Sequence, residues 1–114
     1  EIGSDVDIAV DRSTFDKIHE LVEAFVAQYG FEICNMLQHE VEGKYFVISA
    51  TNEKTNQIEM LALDFCANYM RQGRIILTEN ELLTNRNWVK TDDIRIPVCS
   101  NDISFLYYFI KKVA

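Results

Sequence analysis

Apolar residues recur at steps of three and four along Ile18, Leu21, Val22, Phe25, Val26 and Tyr29, the spacing of one face of a helix. Gly30 supplies the stop, because glycine accepts the left-handed conformation that closes a helix. Ser13 followed by Asp16 predicts the start as a capping box. Ahead of it, Asp5-Val6-Asp7-Ile8-Ala9-Val10 reads as a short strand with its polar residues at the beginning, and Asp11-Arg12-Ser13 as a turn. After Gly30 the period changes. Residues 31–39 predict a strand, 40–43 a turn and 44–50 a strand rich in aromatic and β-branched residues. Residues 52–57 predict a polar hairpin turn, and 58–65 another strand. Further on, 74–77 predicts a short strand, and Thr78 with Glu81 a second capping box opening a helix through Leu83. Trp88-Val89 and 94–98 predict short strands. Ser100 opens a last helix carrying Ile103, Leu106, Tyr107 and Ile110. Short crossings favour antiparallel pairing. The expected class is α+β, with a mixed, mostly antiparallel sheet and flanking helices.

The length of 114 residues suits a single domain spanning 1–114. The chain starts at Glu1 and ends inside a helical pattern, so the expectation is a domain cut at both ends from a longer protein. Phe105 and Tyr108 are then expected to pack on an adjoining domain. A net charge of −7 argues against binding nucleic acid through its phosphates. It leaves room for a nucleotide held through a metal, because a bound cation inverts the local sign. No apolar run approaches the roughly 20 residues of a membrane span. Cys34, Cys66 and Cys99 are odd in number and lack a C-x-x-C pair, so they suggest neither a zinc set nor a disulfide framework. Their apolar neighbours predict buried thiols in a reducing compartment, the cytoplasm.

The segment richest in chemistry is Gly3-Ser4-Asp5-Val6-Asp7-Ile8-Ala9-Val10. Alternate side chains of a strand share a face, so Asp5 and Asp7 lie together. Neighbouring carboxylates repel, and burying them requires a compensating cation. Mg²⁺ suits them, since it takes one or two carboxylates together with phosphate oxygens. An isolated Asp-x-Asp more often marks solvated turn residues. Two features add to it here. Gly3-Ser4 offers a flexible, donor-rich backbone for phosphate. Asp64 ends an otherwise apolar strand, where an aspartate is costly unless paired, hydrogen-bonded or metal-bound.

Gly-Ser-Asp-x-Asp-Ile-x-Val, a helix after it and a strand ending in a third aspartate resemble the nucleotidyltransferase fold of the DNA polymerase β superfamily. The chain is most similar to small bacterial nucleotidyltransferase-like proteins, and 96–112 also resembles the segment after their catalytic domain. The resemblance implies that Asp5 and Asp7 hold two Mg²⁺ ions against a nucleoside triphosphate. It implies that Asp64 completes the metal site and helps to deprotonate an acceptor hydroxyl. The acceptor would be a small molecule or a protein, and the products a nucleotidylated acceptor and pyrophosphate. The family pattern sets its Gly-Ser on an upstream helix, separated by a spacer; here Gly3-Ser4 abuts Asp5. A second reading is therefore a non-catalytic nucleotide-binding or protein-interaction module on the same fold.

Other residues carry weaker signals. Arg71 and Arg74 suit phosphate, since guanidinium binds it bidentately; a solvated turn explains Arg71-Gln72-Gly73-Arg74 as well. Lys44 is a further phosphate candidate. His19 is expected on the polar flank of the first helix and His39 at a loop or strand edge, without a second histidine spaced for a metal.

Overall fold

A computed structural model describes residues 5–91 and 94–113. Two compact units follow one another along the chain, divided between Ala67 and Asn68.

In the first unit, strand β1 (Val6–Ala9) is followed by helices α1 (Arg12–Asp16) and α2 (Ile18–Tyr29), then strands β2 (Glu32–Glu40), β3 (Gly43–Asn52) and β4 (Gln57–Cys66). The strands form one sheet in the order β1-β4-β3-β2. β2, β3 and β4 are antiparallel neighbours, and β1 joins β4 in parallel. The α1–α2 segment and the two following strands make the crossover that a parallel pair requires.

Ile18, Val22 and Val26 of α2 pack on Phe46, Ile48 and Phe65, with Ile8, Val10, Ile33 and Leu63 around them. These strand residues share the helix-facing side of the sheet, as alternation demands. Phe46 is completely buried and meets Phe65 edge-on at 5.9 Å. The predicted helical stripe is thus split. Its Ile18–Val22–Val26 side is in the core, while Leu21, Phe25 and Tyr29 are exposed.

The helix starts earlier than the Ser13–Asp16 pattern predicts, and in two pieces. Asp11 is the N-cap: its carboxylate accepts from Thr14 N–H at 2.8 Å and from the Ser13 hydroxyl at 3.1 Å. Asp and Ser are comparable caps; here Asp11 takes the role, and Ser13 falls inside α1. Lys17, with φ −108°, separates α1 from α2. Gly30 ends α2 at φ 71°, as the sequence predicts. The hydrogen bonds from Thr14, then Ser13, hold the Asp11 carboxyl below its ordinary 3.8. A lowered folded-state pKa stabilises above the ordinary value and loses that contribution as pH falls through the lowered one. Asp11→Ala is therefore expected to lower the thermal midpoint at neutral pH. Melts repeated at acid pH, below the lowered value, should bring the two proteins together.

The β3–β4 hairpin turn falls where the polar run predicts it. The Asn52 side chain accepts from Lys54 and Thr55 N–H at 3.0 and 3.4 Å, an Asx turn. Asn56 takes φ 57°.

The second unit begins with a hairpin of β5 (Tyr69–Arg71) and β6 (Arg74–Leu77), followed by α3 (Glu79–Leu83), a hairpin of β7 (Asn87–Thr91) and β8 (Ile94–Val98), and α4 (Asn101–Val113). Thr78 and Glu81 make the predicted capping box in full. The Ser100 hydroxyl accepts from Ile103 N–H at 3.4 Å at the start of α4. The class is α+β with mostly antiparallel sheets, as predicted.

No helix among the described residues is long and apolar enough to cross a membrane. No disulfide links the cysteines. Cys66 and Cys99 are half-buried, and burial pushes the Cys99 thiol up. Cys34 corrects the expectation of burial: it is exposed. It occupies the register shift between Ile33 and Asn35 on the outer strand β2, where a bulge leaves a residue outside the pairing.

Candidate functional site

The parallel pairing of β1 with β4 sets Asp7 directly opposite Asp64. Neighbouring strands lie about 4.8 Å apart, so the two carboxylates stand on one face within reach of a shared cation. Ile8 and Phe65, the next pair in the register, face the helices. Asp7 and Asp64 therefore occupy the opposite face. Asp7 is exposed and Asp64 half-buried. The support is rigid. β4 is flanked by β3 as well as β1, and the Val10 N–H donates to Cys66 O at 2.9 Å, extending the parallel ladder.

Asp5 lies one residue before β1 and is exposed. Among the described residues, no three His, Cys, Asp or Glu side chains stand together as a metal-holding group. The arrangement is a carboxylate pair with a third acid just beyond the strand end. Two hard oxygen donors on adjacent strands fit Mg²⁺, which completes its shell with water and phosphate oxygens rather than an all-protein cage. Gly3 and Ser4 lie outside the described residues.

One neighbour escapes the motif-based reading. Tyr45 of β3 pairs with Asp64, and Leu37 of β2 pairs with Tyr45. One face thus carries the row Asp7, Asp64, Tyr45, Leu37, one residue from each strand. The hairpin turn could have revealed Tyr45: counting back from the Asn52–Gln57 pair brings position 45 level with position 64.

Lys44 lies elsewhere. It pairs with Phe65 on the helix-facing side, donates to Phe15 O at 3.4 Å and sits 4.7 Å over the Phe15 ring. Arg12 also stacks on that ring, at 5.3 Å, and pairs with buried Glu42. These cations serve the α1 junction and stand on the sheet face away from Asp64. His19 is half-exposed, with Nε2 2.6 Å from Glu23 Oε1, in keeping with a surface role. His39 falls within β2.

Arg71 and Arg74 belong to the second unit. They pair across the β5–β6 hairpin, on either side of Gln72 and Gly73, which take φ 52° and 77°. Arg71 donates to the Tyr69 hydroxyl at 3.3 Å and is half-buried; Arg74 is exposed. The segment forms a tight hairpin turn that carries two guanidinium groups.

Comparison with protein-family models, with curated proteins and with solved structures finds no match to this chain.

Proposed function

We propose that the chain is a Mg²⁺-dependent nucleotidyltransferase domain. It would move a nucleoside monophosphate from a triphosphate to the hydroxyl of a small molecule or a protein. The observation that carries this reading is the Asp7–Asp64 pair, set in register on adjacent parallel strands. A short strand that follows Asp5 and carries Asp7, with Asp64 level with Asp7 on the next strand, supports the resemblance to the nucleotidyltransferase fold. Asp5, Asp7 and Asp64 would hold two divalent ions, and Asp64 would also accept the proton of the acceptor hydroxyl. Bound there, the ions would neutralise phosphate charge and favour in-line displacement, with pyrophosphate leaving. Gly3 and Ser4 would offer backbone donors to the phosphates; Arg71 and Arg74 of the second unit are, by themselves, guanidinium candidates for phosphate. The half-buried, disulfide-free Cys66 and Cys99 suit a cytoplasmic setting. The net charge of −7 favours an acceptor other than bulk nucleic acid.

The carboxylate pair without a third convergent ligand among the described residues is the observation that favours the second reading, a non-catalytic module that binds a nucleotide or a protein.

Calorimetric titration tests the proposal. Mg²⁺ with a nonhydrolysable nucleoside triphosphate is expected to bind the wild type, and the Asp5→Asn, Asp7→Asn double variant is expected to lose that binding. Wild-type binding that is unchanged without Mg²⁺, or unaltered in the variant, would remove the metal site from the account.

A further inference from the structure

The sheet of the first unit stops at β2. One side of β2 is paired with β3, and among the described residues no strand pairs with the other. Helix α2 leads into this strand through Gly30 and Phe31. Leu21, Phe25 and Tyr29 repeat at four-residue intervals beside its buried side and are 48%, 43% and 57% exposed. Ring contacts tie this flank to the start of β2. Phe25 and Tyr29 lie 5.6 and 6.3 Å from Phe31, the residue that leads into β2. The opposite flank carries His19, 6.0 Å from Phe46 of β3. On β2 itself, Met36 pairs with Phe46, so it faces the helix side, yet it is 48% exposed. Leu37 is 51% exposed on the other face. The edge strand thus carries exposed apolar side chains on both faces, and the exposed flank of α2 is tied to its start.

We propose that a second copy of this chain completes the edge, β2 pairing antiparallel with β2 of its mate. Antiparallel pairing of one strand with itself requires a twofold axis perpendicular to the sheet. That operation leaves both α2 helices on the same side of a continuous eight-stranded sheet. The Leu21–Phe25–Tyr29 flanks, each tied to the start of its β2, then meet one another above Met36. A lone extended peptide would satisfy the backbone and cover Met36 but leave the outer side of the helix flank in water. A second copy supplies strand and helix together.

The area suffices. Large apolar side chains present on the order of 200 Å² each, so five of them about half exposed offer roughly 500 Å² per copy. Two copies bury about 1,000 Å² before the strand backbones are counted, near the lower end for a specific complex. Charge sets the strength. Glu32 and Glu40 terminate β2, so antiparallel self-pairing brings acid toward acid, between copies that each carry −7. Like charges opposed across strands are unfavourable, and salt screens them. The dimer should therefore be modest in affinity and should tighten as ionic strength rises. A basic peptide docked on the same edge would weaken with salt.

Sedimentation velocity over a protein concentration series at low and high salt tests this, with circular dichroism to verify folding. The wild type is expected to pass from monomer to dimer, with the midpoint moving to lower concentration as salt is added. Leu21→Glu and Phe25→Glu are each expected to raise the midpoint by about tenfold or more. Two positions are tested because Phe25 also touches Phe31 and its replacement carries more risk to folding. Phe105→Glu, on the exposed side of α4, should change nothing. A wild type that stays monomeric throughout overturns the proposal. So does association that weakens with salt, or that Phe105→Glu disrupts while the α2 variants do not.

Discussion

Under the proposed function, Asp7→Asn and Asp64→Asn are each expected to lower metal-dependent nucleotidyl transfer sharply while leaving the fold intact or slightly more stable in metal-free buffer. A metal clamp on a transferring phosphoryl group contributes several kcal/mol of transition-state stabilisation. At 1.36 kcal/mol per tenfold, losing one ligand should lower kcat by about 10²- to 10⁴-fold. The stability prediction has the opposite sign. Like charges directly opposite on neighbouring strands are destabilising, and Asn is nearly isosteric with Asp, so removing one charge relieves that cost. If the proposed site holds Mg²⁺, the ion should raise the thermal midpoint of the wild type and leave both variants unmoved. Thermal melts with and without Mg²⁺ read this without any knowledge of the acceptor. A variant that melts well below the wild type in metal-free buffer would show that the aspartates serve the fold instead. A wild type indifferent to Mg²⁺ would favour the non-catalytic module.

Elements fixed by short-range chemistry were legible before any coordinates. Helix α2 follows from its apolar period and Gly30, α3 from the Thr78–Glu81 box, and the β3–β4 hairpin from its polar turn. What depends on partners far along the chain was not. The parallel pairing of β1 with β4 brings Asp7 opposite Asp64, yet each strand's own pattern names no neighbour. The aspartates stood out as acids at strand ends; their juxtaposition needed the sheet order. Tyr45 was hidden because aromatic residues suit any half-buried strand. β5 is only three residues long, too short for alternation to register, so Arg71 and Arg74 read as a bare turn rather than a hairpin. Cap competition moved the start of α1, since Asp11 and Ser13 are both good caps and only the geometry selects Asp11. The apolar neighbours of Cys34 predict burial, whereas its exposure comes from a bulge on an outer strand.

Phe46→Ala should be among the most damaging single changes outside the candidate site, costing about 3–5 kcal/mol. Phe46 is fully buried at the centre of the first unit, on a strand flanked by β2 and β4. Its ring closes the contact between α2 and the sheet and meets Phe65 edge-on. Removing it opens a cavity that the surrounding strands, tied by their ladders, relax into only partly. For a domain whose total stability is about 5–15 kcal/mol, that is a large fraction. The consequence reaches the carboxylates, because Phe65 directly follows Asp64 and lines the cavity from the helix-facing side, opposite to Asp64. Urea unfolding should show a lower midpoint, and hydrogen exchange should show the loss of protection across α2, β3 and β4. Phe46→Leu, which keeps most of the apolar volume, should cost much less. Mg²⁺-dependent stabilisation should weaken in Phe46→Ala although no carboxylate has changed. Equal losses for the Leu and Ala variants would mean that the edge-on aromatic contact, and not the filled volume, holds the helix to the sheet.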